Sequence, residues 1–427
     1  MTSTIIAAPP ISGETAPMLQ IAAGLAGRGH RVTFVGGSRF AAQAEAAGAT
    51  FVPLAGAADY DDRRIDEAFP DRARTQPGPE QLNFDFAHLS GDGIPAQHDL
   101  LQHLLRADPD QVVITNSTFL GMWPVALGAS GIRPRRWIAV GANPLGMSSG
   151  DTTPFGPAPV EPGMSAKTAN LAANAALQEA LRPSREHIER IVRSLGATGD
   201  VPGFMDGVAT VPEVFCALTV PGFEFPRSDA PDSLRFVGPL PAPSPADWSE
   251  PAWWPELDTD RPVVVVTQGT LANRDLGELV GPALTGLGQA GVLVVAALGR
   301  DVAALPVQVP ANARVESFIP FGALLPKADL FITNGGFGAT QQALAAGVPV
   351  VIAGATEDKP LVAARVAQHG LGVDLRTSTP TPAQIADAVA AVLGDAEIKS
   401  NVERIAEVYA EYDAMTAIEQ IAAQERS

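Results

Sequence analysis

The chain of 427 residues has one cysteine, Cys216, and only four lysines, Lys167, Lys327, Lys359 and Lys399. A single thiol excludes a disulfide framework and any zinc or iron–sulfur site built on several cysteines, and a lone cysteine is most often buried packing. Basic residues are outnumbered, 29 Lys and Arg against 47 Asp and Glu, for a formal charge of −18. Such a surface has no general attraction for a nucleic-acid duplex or an anionic membrane, although local backbone donors can still hold a small anion. No run approaches the ~20 consecutive apolar residues of a transmembrane helix, and Met1-Thr2-Ser3-Thr4-Ile5-Ile6 carries no basic stretch ahead of an apolar one. These absences predict a cytoplasmic protein without nucleic-acid or membrane partners.

What is present is an apolar content of 46% punctuated by 41 Gly and 38 Pro, in a chain long enough for two domains. Residues 4–8 read as a strand; Met18, Ile21, Ala22 and Leu25 then recur at helical spacing until Gly27-Arg28-Gly29-His30 stops the helix. Further strands are predicted at 31–35, 111–115 and 137–141, and this rhythm implies a parallel sheet covered on both faces. Residues 57–97 break it with Asp, Pro, Gly and scattered Phe, which predicts a structureless lid or insert. Proline-dense Val237-Gly238-Pro239-Leu240-Pro241-Ala242-Pro243-Ser244-Pro245, followed by Trp248, Trp253 and Trp254, predicts a semi-rigid linker with docked tryptophans. The rhythm restarts beyond it at 263–267, 292–297, 329–333 and 348–352. The expected division is a first domain over 1–236, a linker over 237–261, a second domain over 262–404, and a closing helical stretch over 405–427 marked by Ile405, Val408, Tyr409, Tyr412 and Met415.

Two glycine turns join a strand to a helix in the second half, Thr267-Gln268-Gly269-Thr270 and Asn334-Gly335-Gly336-Phe337-Gly338-Ala339-Thr340. There the free N–H groups and dipole of the helix can hold an anion, and two such turns in one domain favour a diphosphate. From Val315-Glu316-Ser317-Phe318-Ile319-Pro320 through this second turn, Gln341-Gln342-Ala343-Leu344 and Gly347-Val348-Pro349, to Thr356-Glu357-Asp358-Lys359-Pro360, the chain resembles the nucleotide-sugar signature of the family 1, GT-B glycosyltransferases. Gly13-Glu14-Thr15-Ala16-Pro17 and Gly27-Arg28-Gly29-His30-Arg31-Val32 resemble that family's opening, so the likeness spans both halves.

The resemblance implies an α/β, GT-B fold: two doubly wound Rossmann-like domains facing across a cleft, with the acceptor in the first, the donor in the second, and the last helix crossing back. It implies an inverting transfer of a hexose from a UDP- or TDP-sugar, with no metal and no cofactor beyond that co-substrate. By the same resemblance Phe318 is the shelf for the base and the backbone of Ile319 reads its edge. Asn334, Gly336, Gly338, Ala339 and Thr340 meet the diphosphate, joined by Thr270; Gln342 faces the ribose, and Asp358 and Lys359 face the sugar. Three positions depart from the commonest pattern: Asn334 for His, Gln342 for Glu, and Lys359 for Gln. An amide at 342 keeps hydrogen bonds to a ribose but loses the charge-assisted kind.

The most consequential departure is Glu14, which stands where many members carry the His that removes the acceptor's proton, with Asn116 in place of that histidine's Asp. A carboxylate needs no partner to fix a tautomer, and an amide can donate to it without raising its pKa by repulsion. Glu14 is thus either the general base, supported by Asn116, or a cap on the first helix. His88, His98 and His103 are the reserve bases, or solvated and packing histidines. Asp59-Tyr60-Asp61-Asp62 reads as a solvated loop, and His30 as a structural residue of a turn. The acceptor is a small apolar molecule, polyketide or phenolic, facing Phe84, Phe86, His88, Phe119 and Met122, although these residues and Trp123 equally suit a core. A monomer or homodimer is expected. A silent homologue acting as a partner and an epimerase of the same fold stay open; a dinucleotide oxidoreductase does not, since Ala8-Pro9-Pro10-Ile11-Ser12-Gly13 lacks the glycine fingerprint.

Overall fold

The run Val263-Val264-Val265-Val266 shows how the sheets form. Val263 and Val265 enter one apolar cluster and Val264 and Val266 another, all at most 2% exposed, because side chains alternate along a strand and both faces of this one are covered. The computed structural model describes residues 2–242, 248–269, 273 and 275–424, so Thr270 lies outside the described residues. No helix among them is long and apolar enough to cross a membrane.

The chain divides into two compact units. The first comprises Met1–Leu218, Pro226–Val237 and Asp413–Ser427. Its strands are β1 (Ser3–Ala7), β2 (Arg31–Gly36), β3 (Thr50–Pro53), β4 (Val112–Asn116), β5 (Arg136–Gly141), β6 (Val214–Ala217) and β7 (Leu234–Phe236). They lie in the order β3-β2-β1-β4-β5-β6-β7 and pair in parallel throughout, with Ile5 opposite both Thr33 and Val113. The second unit, Thr219–Phe225 and Gly238–Tyr412, holds β8 (Val263–Thr267), β9 (Leu293–Ala297), β10 (Ala313–Glu316), β11 (Leu330–Thr333), β12 (Val350–Ile352) and β13 (Gly372–Asp374). Its parallel order is β10-β9-β8-β11-β12-β13. In each sheet the order of strands reverses once, between β1 and β4 and between β8 and β11. The crevice beyond the carboxyl ends of such a strand pair is where doubly wound sheets bind ligands.

Three expectations from the sequence need correction. Residues 57–97 are a series of short helical turns rather than a structureless loop. Asp61 caps one by accepting from the Arg63 N–H at 3.1 Å, Pro79 opens the helix Pro79–Phe84, and Arg72 grips Asp85 through two hydrogen bonds of 2.7 and 3.1 Å. The scattered phenylalanines close a small core, with Tyr60 edge-on to Phe69 at 4.9 Å and Phe69 edge-on to Phe84 at 6.3 Å. The closing stretch is two helices, Ala396–Ala410 and Ala414–Ala423, because Asp413 caps the second by accepting from the Thr416 N–H. The chain therefore rejoins the first unit at Asp413 and not at residue 405. Finally, the described part of the proline-rich segment belongs to the second unit. Trp254 is in its core, Trp248 and Trp253 pack on that core, and the Trp253 indole donates to Glu316 at 2.8 Å.

Candidate active site

Glu14 lies in the first turn of the helix Ser12–Gly27, which follows β1, and Asn116 ends β4, so the two residues face each other across the first reversal of strand order. The Asn116 amide donates to Glu14 Oε2 at 2.7 Å, and Asn143, two residues beyond β5, donates to Oε1 at 2.7 Å. Asn116 cannot be turned round: its Oδ1 already accepts from the Thr118 N–H at 2.9 Å and hydroxyl at 2.7 Å, which leaves only the NH2 for Glu14. Burial raises the pKa of Glu14 above its ordinary value of 4.5, and the two amide donors only partly offset it. The carboxylate does not cap its own helix. That place is taken by Asp62, which accepts from the Ser12 N–H at 2.7 Å, is 8% exposed, and is paired with Arg39, itself bonded to the Ser12 hydroxyl. Asp59 likewise accepts from the Ser38 N–H at 2.9 Å, so the acidic run expected to be solvated is a set of tethers. Tyr60 stands in the same neighbourhood: burial, then the charges of Asp62, Asp85 and Glu14, raise its pKa.

The aromatic residues assigned to an acceptor separate into two groups. Phe119 and Met122, 1% and 2% exposed, belong with Trp123 to the core behind the sheet, which corrects their assignment to an acceptor surface. Phe84, Phe86 and His88 are half-buried. Phe86 stacks on Phe204 at 4.1 Å and Phe84 lies 4.6 Å from the His88 ring. His98 is buried with Nδ1 3.2 Å from the Gly121 carbonyl, and His103 is exposed on its helix. His30 is structural, its Nε2 2.9 Å from Glu419 on the last helix. His88 Nδ1 is 2.8 Å from Asp92 Oδ2, and His187 Nε2 is 2.6 Å from Asp92 Oδ1.

The second reversal is built from backbone. The Asn334 side chain, 8% exposed, donates to the Gln268 carbonyl and so ties the turn after β11 to the turn after β8. Gly335 has φ +89°, and a Cβ there would fall 2.8 Å from Ile352 Cγ2. At Gly354, after β12, a Cβ would fall 1.9 Å from the Asn334 carbonyl oxygen, so any side chain would force these turns apart. Gly336 is the N-cap of the helix Phe337–Ala345, whose first N–H groups have no partner within the helix. Thr340 Oγ1 is fully buried with no hydrogen-bond partner among the described residues.

The remaining residues assigned to a donor lie along this unit. Gly338 is exposed, Ala339 and Gln342 are half-buried, and Phe318 holds its ring 52% exposed beside the buried Ile319. Asp358 precedes the helix Lys359–Gln368, and Lys359, 4% exposed, pairs with Glu357. In the sequence alone Asn143 and Arg39 have no assigned role, and Asp62, Tyr60 and Glu357 figure only as members of a loop and a motif. Only Asn143, just past the end of a strand, stands where a signal could have been found.

Comparison with known proteins agrees with this geometry. Residues 283–421 match the family described as erythromycin biosynthesis protein CIII-like, C-terminal domain. The chain is 37% identical to UDP-glycosyltransferase 2 of Phaeomoniella chlamydospora, over 98% of this chain and 94% of the relative. It is 38% identical to 4'-demethylrebeccamycin synthase of Lentzea aerocolonigenes, over 96% of each. Two solved structures share its fold: the glycosyltransferase of kitacinnamycin, with TM-score 0.71 and 21% identity over 100% of this chain and 99% of that one, and the calicheamicin glycosyltransferase, with TM-score 0.70 and 22% identity over 99% and 98%. Two doubly wound parallel sheets, each reversing its strand order once, make this a GT-B fold. The chain belongs to the family 1 glycosyltransferases of natural-product type, and its activity is glycosyl transfer.

Proposed function

We propose that this glycosyltransferase moves a hexose from a UDP- or TDP-sugar to a hydroxyl of a small apolar acceptor, polyketide or phenolic, with inversion and without a divalent metal, and that Glu14 is its general base. The observation that carries the reading is the Glu14 carboxylate, held by two amide donors and by no cation among the described residues, with its pKa raised by burial. A carboxylate whose pKa is raised takes up a proton more readily than an ordinary surface carboxylate. Relatives carry UDP in their names, and a glycosyltransferase of the same fold was solved in complex with DTDP. Both donor types are thereby supported.

In this reading the acceptor O–H gives its proton to Glu14 while the oxygen attacks the anomeric carbon. The new C–O bond forms as the bond from that carbon to the diphosphate oxygen breaks, and the bonding pair leaves with the diphosphate. Attack from the face opposite the leaving group inverts the centre. The N–H groups opening the helix Phe337–Ala345, with Asn334 and the unpartnered Thr340 hydroxyl, stabilise the departing charge. Phe318 offers its exposed face to the base, Ile319 its backbone, Gln342 its amide to the ribose, and Asp358 and Lys359 the sugar contacts. Phe84, Phe86 and His88 contact the acceptor.

Glu14→Gln tests the role, because it keeps size and an oxygen to accept from Asn116 while removing basicity. Turnover should fall by about 10²–10⁴-fold. UDP and TDP affinity should stay within twofold of the parent chain's, roughly the scatter expected of a change that leaves the binding contacts intact. Unchanged turnover would refute Glu14 as base. Loss of nucleotide binding in the same variant would mean that the residue supports the fold.

A further inference from the structure

The first unit carries a group of side chains outside its apolar core, of which the transfer proposed above uses His88 alone, as an acceptor contact. His88 lies in the seven-residue π-helical segment Asp85–Gly91, Asp92 follows it directly, and His187 projects from the helix Arg182–Ser194. Asp92 is shared between the two imidazoles, one on each carboxylate oxygen, at 2.8 and 2.6 Å. The ligand-type atoms of the three residues all lie within 4.8 Å of one another, and their side chains are 37%, 35% and 25% exposed, open to solvent on one side. π-Helical turns are rare and recur at functional sites.

The geometry points to a divalent transition-metal site in which His88, Asp92 and His187 supply two imidazole nitrogens and a carboxylate oxygen to an ion of the Zn2+ or Co2+ type, water filling the remaining positions. This donor set suits such borderline ions, whereas Mg2+ and Ca2+ favour oxygen ligands alone. To bind the ion, each imidazole exchanges its present hydrogen bond with Asp92 for a nitrogen–metal bond and carries its proton on the other ring nitrogen. For His187 that nitrogen is Nδ1, which now faces Arg190 Nη2 at 3.3 Å. Arg190 is exposed and free to swing aside, and its positive charge opposes the ion. The bound ion ties the segment carrying His88 to the helix carrying His187. Its three ligands all belong to the first unit, and its binding is read without donor or acceptor present.

The test uses the full chain without a histidine tag, stripped by chelator and titrated with Co2+ and then Zn2+. The expected result is one equivalent of Co2+ per chain with a visible absorption band, displaced by Zn2+, and a rise in the thermal midpoint with either ion. His88→Ala, Asp92→Asn and His187→Ala should each weaken binding by at least about 100-fold, the upper cost of losing even an outer partner of a ligand. Arg190→Ala should tighten it, since it removes an opposing charge without touching a ligand. Absence of saturable one-to-one binding overturns the assignment. So does an affinity unchanged in all three ligand variants, which would place the ion on another of the histidines. Should those variants fail to fold, Arg190→Ala decides, and an affinity that does not rise counts against the site.

Discussion

The two reversals of strand order solve opposite electrostatic problems with opposite materials. In the first unit a carboxylate is withdrawn from water and given two amide donors but, among the described residues, no cation, which leaves it easier to protonate than a surface glutamate. In the second unit the buried charges are paired: Lys359 with Glu357, and Arg365 with Glu224, at 0% and 1% exposure for the second pair. Its reversal of strand order is lined by glycine turns and the start of a helix. A proton acceptor needs an unneutralised charge, whereas a diphosphate brings its own charge and needs donors. The contrast teaches that one sheet topology accommodates either arrangement, according to what is set at the strand ends.

The sharpest way to break the comparison is Glu14→Gln, where activity and stability should move in opposite directions. Glu14 binds a proton more tightly in the folded chain than in the unfolded one. From about pH 4.5 up through its raised folded pKa the folded state therefore holds the extra proton, and stability falls as pH rises. Once pH has risen far enough to ionise it in the folded chain, the buried charge of Glu14 is destabilising. The variant should unfold no earlier than the parent at pH 7 and should lose that pH dependence, while turnover falls by orders of magnitude. The parent's activity should show an acid limb lying above pH 4.5, read from kcat/KM against pH.

In the second unit the prediction has the reverse sign. Arg365→Met strands Glu224 in the interior and should cost about 3–5 kcal/mol in urea unfolding, and adding Glu224→Leu should recover most of it. If the single variant costs nothing, the paired-charge half of the comparison fails. Phe318→Ala should weaken the pyrimidine diphosphate by about 1–3 kcal/mol in calorimetry, with little change in the thermal midpoint because the ring is half exposed. Thr340→Val removes an unpartnered buried hydroxyl, so it should leave stability unchanged or raised while lowering nucleotide affinity by about 0.5–1.5 kcal/mol. The smallest effect is expected at Glu419→Gln, which loosens a partly exposed pair with Arg28 by about 0–1 kcal/mol.

What the sequence reveals and what it hides follow from the range of the contacts. The valine run of β8 and the alternation around β1 declare themselves within a few residues, whereas β3, β6, β7, β10 and β13, three or four residues each, offer too few positions for a period to show. Glu14 and Asn116 were legible because each sits at a strand end in a recognisable opening. Asn143, Asp62 and His187 were not. Their partners lie 129, 50 and 95 residues away, and no local pattern encodes such a meeting. Phe119 and Met122 were misassigned because an apolar residue after a strand reads the same whether it turns outward to a ligand or inward to the core.

The return of the chain to the first unit at Asp413 bears on how these enzymes can be recombined. The last helix buries Met415, Ile418 and Ile421, ties Glu419 to His30, and brings the Ala422 carbonyl to Arg135 at 3.0 Å. Residues 219–225 meanwhile leave the first unit to join the second. The linear order of the gene is thus not the order of the modules. A hybrid spliced once, in the proline-rich segment, would give the first unit a foreign closing helix and the second unit a foreign Glu224. Exchanging whole units between relatives requires junctions at 218/219, 225/226, 237/238 and 412/413 together.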